Sequence, residues 1–503
     1  MSPRLRTVSL LALSAVLIVA SSHLPFLCWI ALGAWVPALC VLQGRGLRAW
    51  IGGGALLYFF VALGAYYWIF DVTYHFGGLP FAAAVATVPV FGLLNIWQGL
   101  VGFALFRFLA PRWPRFHAPL FAICVVAAWH WIPALFSWDI SLLVLPWRWL
   151  IQSIDLFGTT LLDCVIMATN YAVFMAWREK RMTRMLGVAL ATLVVLNMYG
   201  ALRCHQLRDF ITTAPTARLA LVQPNFDSDM KSDPHFMIQA MHELLQLSNT
   251  AALQHPDLIV WPESVFPMDY ARDTGLQQIL SQAIANWNTA LMFGGTSFAV
   301  DASGHPKAYN VATLIQPNAS AQSYRKHVLL AFGEYLPFES TFPAIRRWFP
   351  DRVGQFGRGE GATAFHFGTG NFAPVICYES IVSEYVRRIA QLPVDFVVEI
   401  TNDGWYGRTA ALAYHKDLAR LRAIENHISI ARDTNTGVTS VIDPLGNEHE
   451  ILPLEISTTA LYNISRARPF TLFTAGGFWS ETVIGLIVIV LLLHKQLFPR
   501  LCR

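Results

Sequence analysis

The sequence predicts two fold classes in one chain: a polytopic α-helical membrane domain and an α/β domain that precedes its last helix. Three observations carry this. Only 14% of the 503 residues are charged and 55% are hydrophobic, whereas an ordinary globular domain has about 25% charged residues. The shortage is uneven, because the first two hundred residues and the last twenty-five are mostly apolar while the span between them has soluble proportions of Asp, Glu, Lys, Arg and Asn. That middle span alternates short apolar runs with helical periodicity, the pattern of layered sheets and helices. The net charge of +4 is small for this length and its basic residues fall at helix ends, so nucleic-acid binding is not indicated.

A bilayer-crossing helix needs about 20 apolar residues. Eight spans meet this description, at 8–22, 24–42, 50–70, 80–109, 118–136, 159–177, 185–202 and 478–493. The first has the basic flank and small residues of a signal peptide, but a second apolar span follows at once, which favours an uncleaved anchor. Basic residues set orientation, since cytoplasmic loops retain Lys and Arg. Arg4 and Arg6, Arg45 and Arg48, Arg107, Arg112 and Arg115, then Arg178, Lys180, Arg181 and Arg184 are each separated by two spans. The intervening loops are nearly free of them, Arg148 excepted. This predicts cytoplasmic termini, an outward-facing middle domain, and domain limits of 1–210 for about seven helices, 211–468 for the α/β domain and 469–503 for the last helix and tail.

Pro146-Trp147-Arg148-Trp149-Leu150 combines indoles with one cation, suiting either an interfacial anchor or a phosphate contact. Asn95, Gln98, Asp163 and Asn170 lie within spans, where hydrogen bonding between helices explains them better than a lipid cavity does. In the middle span, strands are expected at 217–223, 257–261, 290–298, 309–316, 323–330, 372–376, 395–400, 428–432 and 437–442. Helices are expected at 235–253, 276–287, 379–390 and 413–427.

Seven cysteines are present. Cys28, Cys40, Cys124 and Cys164 lie in apolar spans, Cys204 at the end of one and Cys502 in the tail, which leaves Cys377 alone within the middle domain. No CxxC pair or His/Cys cluster with metal spacing occurs, so neither a metal nor a disulfide framework is expected. Three stretches place a reactive side chain at the end of a strand, where α/β active sites collect. They end in Glu263 after Ile259-Val260-Trp261-Pro262, in Lys326 after Tyr324-Arg325, and in Cys377 after Pro374-Val375-Ile376. A thiol with an ordinary pKa of about 8.5 needs a base or a cation to react at neutral pH. Glu263 is of the type to take its proton and Lys326 of the type to meet an oxyanion. Taken singly, each also suits a structural role, and a lone cysteine is more often buried core.

Trp261-Pro262-Glu263, Lys326 with Phe332-Gly333-Glu334-Tyr335, Ile376-Cys377-Tyr378-Glu379 and Asn402-Asp403-Gly404-Trp405-Tyr406-Gly407 together resemble the nitrilase, or carbon-nitrogen hydrolase, superfamily. The flanking helices resemble its membrane branch, the bacterial apolipoprotein N-acyltransferases. Arg422-Ala423-Ile424-Glu425, Asn435-Thr436-Gly437, Asp443-Pro444-Leu445-Gly446 and the stretch 152–158 extend the likeness. The resemblance implies a four-layer α-β-β-α sandwich and a Glu-Lys-Cys triad of Glu263, Lys326 and Cys377. It gives supporting roles to Glu334, Tyr378 and Glu379.

It also implies ping-pong transfer of a fatty acyl chain, through a Cys377 thioester, from a phospholipid to the N-terminal amine of a diacylglyceryl apolipoprotein. Phosphatidylethanolamine is the implied donor. The setting would be the bacterial inner membrane with a periplasmic catalytic domain, a monomer, and no cofactor. Three positions depart from the family pattern: Ala331 for Pro, Tyr414 for Gln, and Ser232 where Trp is usual. They bear on loop closure and lipid selection and leave room for a paralogue with an altered acceptor or donor; the alternative readings are a membrane-anchored amidase and a catalytically silent lipoprotein-binding paralogue.

Overall fold

The computed structural model describes every residue except 1, 137, 227–233, 265–267, 301–303, 305, 349–353, 355, 369, 478 and 498–503. Ser232, Phe478, Arg500, Cys502 and Arg503 therefore lie outside the described residues. The chain divides into two compact units, one of Met1–Gln206, Thr409–Ala411 and Thr471–Arg503, the other of Leu207–Arg408 and Leu412–Phe470.

Among the described residues, six segments are long and apolar enough to cross a membrane: Pro3–His23, Pro25–Leu42, Leu47–Ala65, Phe81–Arg112, Thr159–Glu179 and Arg184–Thr213. The sequence expectation of eight is corrected at one place. The span expected at 118–136 is a helix of only 15 residues, His117–Trp131, because Pro133 cannot continue an α-helix. The last helix, Trp479–Leu497, has 19 residues, of which Trp479–Leu493 is the described apolar stretch. The second segment is also not one helix. It is a 3-10 turn over Pro25–Leu32 followed by an α-helix at Val36–Leu42.

Such a break frees backbone groups that apolar surroundings cannot satisfy. Asn170 supplies the remedy, accepting from the Trp35 N–H at 2.9 Å and donating to the Ala31 carbonyl at 2.8 Å. Asn95 accepts from the Phe136 N–H at 2.6 Å, Gln98 donates to the Ile132 carbonyl at 3.4 Å, and Asp163 accepts from the Ser141 N–H at 2.6 Å. All four polar residues thus bond backbone at breaks and helix ends, the structural role expected of them.

The second unit contains two six-stranded sheets. The first comprises β1 (Thr216–Gln223), β2 (Leu258–Val260), β3 (Ala290–Val300), β4 (Pro306–Ile315), β5 (Gln322–Arg325) and β12 (Thr458–Ser465), in the order β12-β1-β2-β3-β4-β5. The second comprises β6 (Phe365–Phe367), β7 (Gly370–Ile376), β8 (Phe396–Thr401), β9 (Ser429–Thr434), β10 (Ser440–Ile442) and β11 (Glu448–His449), in the order β11-β10-β9-β8-β7-β6. Leu219, Leu221, Val260 and Met292 from one sheet share a core with Phe372, Ile376, Val398 and Ala431 from the other. Helices Pro234–Ala252 and Thr274–Trp287 cover the outer face of the first sheet. Ser383–Ala390 and Ala410–Asn426 cover that of the second. The layers are therefore α-β-β-α, with parallel central strands β1-β2-β3 and β7-β8-β9.

Two expectations change in this unit. The strand expected at 323–330 stops at Arg325, because the next residues turn their N–H groups toward Glu379. The helix expected at 379–390 splits into a 3-10 turn, Cys377–Ile381, and a short α-helix. Strands β6, β11 and β12 were not anticipated.

Candidate active site

Each site residue leaves the end of a strand, and the backbone is bent to present it. Cys377 follows β7 with φ +52° and Ser264, just after Glu263, has φ +50°. Left-handed backbone costs a non-glycine residue about 1–3 kcal/mol and persists only where packing imposes it. Below Glu263 the packing is tight. A Cβ on Gly294 of β3 would lie 2.7 Å from the Glu263 Cα, so only glycine lets β3 pass there.

Glu263 is buried with both oxygens engaged. Oε1 accepts from Asn310 Nδ2 at 2.7 Å and Oε2 from the Asn402 N–H at 3.0 Å. Lys326 Nζ lies 3.8 Å from Glu263 Oε1 and 2.8 Å from Glu334 Oε1. Glu334 also accepts from Asn310 Nδ2 at 3.3 Å and from the Leu330 N–H at 2.8 Å. The sulfur of Cys377 is close enough to feel the charges of Glu263 and Lys326, with the Thr401 side chain beside it. The three residues that the sequence singled out are thus brought together; Asn402, already a motif position, joins them, as do Asn310 and Thr401, which gave no signal in residue type or spacing.

Burial sets the resting protonation. It pushes the Glu263 carboxyl above the usual carboxylate range, against the pull of Lys326. It pushes the Cys377 thiol well above its ordinary value, and the Glu263 charge adds to this. For Lys326 burial alone would favour loss of the proton, but Glu334, Glu263 and Cys377 outweigh it and hold the ammonium well above the usual lysine range. The site rests as a protonated thiol beside a permanent cation and a carboxylate of raised basicity.

Glu379 is the clamp that holds thiol and lysine in register. Its Oε1 accepts from the Tyr324 hydroxyl (2.6 Å) and the N–H groups of His327 (2.7 Å) and Val328 (2.9 Å), and its Oε2 from the Ile376 N–H (2.9 Å). The carboxylate therefore ties the residue before Cys377 to the two residues after Lys326. Burial raises its pKa to about 7 against these donors and Lys326. Tyr385 meets the Tyr324 hydroxyl at 2.5 Å from behind. Tyr378 lies near Tyr335 and Lys326, and burial first, then Tyr335, raises its hydroxyl to about 12.

A second charged group lies beside this one. Arg432 on β9 pairs with Glu399 and Asp403, and His415 Nδ1 lies 2.8 Å from Asp403 Oδ1. Ser380 Oγ donates to Glu399 at 2.8 Å. The sequence marked Asp403 only as a motif position and did not reveal the network.

These features can be set against known proteins. Residues 218–468 match the carbon-nitrogen hydrolase family. The apolipoprotein N-acyltransferase of Chlorobaculum tepidum is 29% identical, over 90% of this chain and 88% of its own. That of Bdellovibrio bacteriovorus is 26% identical, over 94% of this chain and 91% of its own. Among solved structures, an amidase from Nesterenkonia sp. is 17% identical with a TM-score of 0.38, covering 50% of this chain and 92% of that one.

Proposed function

Because the chain belongs to the carbon-nitrogen hydrolase family through residues 218–468, we propose that it is an apolipoprotein N-acyltransferase working by thioester exchange on Cys377. One observation carries the chemistry: a thiol, a buried carboxylate and a buried ammonium at three strand ends. In the first half-reaction Glu263 takes the thiol proton while sulfur attacks the ester carbonyl of a phospholipid. Lys326 and backbone amides after Cys377 meet the oxyanion. As the tetrahedral intermediate collapses, the carbon–oxygen ester bond breaks, Glu263 returns the proton to the leaving lysophospholipid oxygen, and a thioester remains. In the second, the α-amine of a diacylglyceryl cysteine attacks that thioester. Its proton passes through Glu263 to the departing sulfur and an amide is left. Glu334 keeps the lysine aimed, and Tyr378 and Glu379 support the nucleophile.

The acceptor is taken from the relatives' function, and phosphatidylethanolamine as donor from the family resemblance. Six membrane-length apolar segments support a site fed by lipids; with the shorter apolar helix His117–Trp131 taken as a seventh crossing, the distribution of Arg and Lys supports a periplasmic catalytic domain, cytoplasmic termini and an inner-membrane location. We take the chain to act as a monomer. Phospholipid labelled in its acyl chains, incubated with enzyme and a diacylglyceryl lipopeptide, tests the reading. Label in the lipopeptide amide supports the transferase, whereas label released as free fatty acid would make the enzyme an amidase-like hydrolase.

A further inference from the structure

The first unit contains a group that acyl transfer does not use. His130, at the end of helix His117–Trp131, places Nε2 3.0 Å from Asp163 Oδ2 and Nδ1 3.3 Å from Glu481 Oε1. Asp139 is the third member, with one ligand atom each of His130, Asp139 and Asp163 lying within 4.8 Å of one another. Asp163 is fully buried, His130 nearly so, and the Glu481 side chain is one-fifth exposed. We propose that His130, Asp139 and Asp163 bind a divalent transition-metal cation, zinc by preference, with Glu481 holding the imidazole from behind.

Each atom has a place in such a site. An imidazole that gives its Nδ1–H to Glu481 presents a lone pair at Nε2, and Nε2 faces the acceptor oxygen of Asp163. At 3.0 Å the two atoms are bridged either by a hydrogen-bond proton or, once that proton is displaced, by a cation bound to both. A proton there satisfies two atoms but leaves three carboxylates around one imidazolium, a formal charge of −2 in largely apolar surroundings. A dication with neutral imidazole brings the group to −1.

The donors suit the cation, since imidazole nitrogen and carboxylate oxygen bind zinc at about 2.0–2.2 Å. Ligating histidines ordinarily give their other N–H to a carboxylate, the position that Glu481 takes. Asp163 is oriented likewise, its Oδ1 accepting from the Ser141 N–H at 2.6 Å and from the Ser141 hydroxyl, so that Oδ2, 3.0 Å from His130 Nε2, is the oxygen that would turn to the metal. Thirty-three residues separate His130 from Asp163, so no motif spacing betrays the group. The cation would join the helices of His130 and Asp163 through the segment carrying Asp139 and Ser141.

The test uses the full-length Cys377→Ser protein, which removes the active-site thiol as a competing ligand, carried on a tag without histidines. The detergent-purified protein is stripped with EDTA, given zinc chloride, desalted and assayed for metal by mass spectrometry, with thermal melting in parallel. The expectation is about one zinc per chain, a higher Tm with zinc, and at least tenfold less retained metal after Asp139→Asn or His130→Gln. Asp139→Asn, at a partly exposed position, serves if His130→Gln does not fold. Absence of retained zinc in the parent protein, or equal retention by folded variants, overturns the proposal.

Discussion

Two buried cations in the second unit, Lys326 and Arg432, are each ringed by carboxylates, and they end in opposite chemistry. The guanidinium of Arg432 divides its planar fork between Glu399 and Asp403, while its Nε donates to the Val438 carbonyl at 3.2 Å. Asp403 is held well below the usual carboxylate range, because Arg432 and His415 outweigh its burial. Lys326 is a point charge with one close partner, Glu334, and Glu263 stands a further ångström away. Glu263 is accordingly pushed up rather than down. A saturated cation makes a scaffold of its carboxylates, and an unsaturated one beside a thiol leaves a base free to work.

The largest expected effects fall on the unsaturated cluster. Cys377→Ala abolishes transfer, and Glu263→Gln lowers kcat by about 10²- to 10⁴-fold, the range for losing a general base, with the protein still folded and membrane-bound. Failure of Glu263→Gln protein to accumulate would instead assign Glu263 to the scaffold. Arg432→Met strands two buried carboxylates at a cost of about 3–5 kcal/mol, so it should appear as lost folded protein and a lower Tm. A stable but inactive Arg432→Met enzyme would erase the distinction between the clusters.

Smaller effects sharpen it. The acid limb of kcat/KM should lie above the ordinary glutamate value of 4.5, because the base is competent only when ionised and its pKa is raised. Activity is therefore lost as pH falls through that raised value, and Glu263→Gln removes the limb. A limb at the depressed value of Asp403 would name the wrong carboxylate. Tyr324→Phe removes one of four donors to Glu379, worth about 1 kcal/mol, and a roughly fivefold fall in acylation rate with little change in Tm would show that the clamp sets reactivity.

Glu263, Lys326 and Cys377 could be picked out as candidates because the strand ends that carry them, one of them punctuated by Pro262, are local features, and the family resemblance joined the three. The Arg432 network was not, because its members come from β8, β9, the loop after β8 and the helix Ala410–Asn426, and no local pattern ties an arginine to acids 29 and 33 residues away. β12 escaped notice for a related reason: its place beside β1 is fixed by a pairing across more than two hundred residues. In the first unit, hydropathy found the apolar segments but not their breaks, since Pro25, Gly33 and Pro133 are as tolerable to a hydropathy window as they are fatal to a helix.

The central claim is that Cys377 carries the acyl group. Intact-mass and peptide mass spectrometry of the enzyme incubated with phospholipid alone should find one acyl-sized increment on the peptide containing Cys377. It should be removed by hydroxylamine, absent from Cys377→Ser, and lost on adding lipopeptide. Turnover to N-acylated lipopeptide with no such adduct at any time, or by the Cys377→Ser enzyme, would contradict the account.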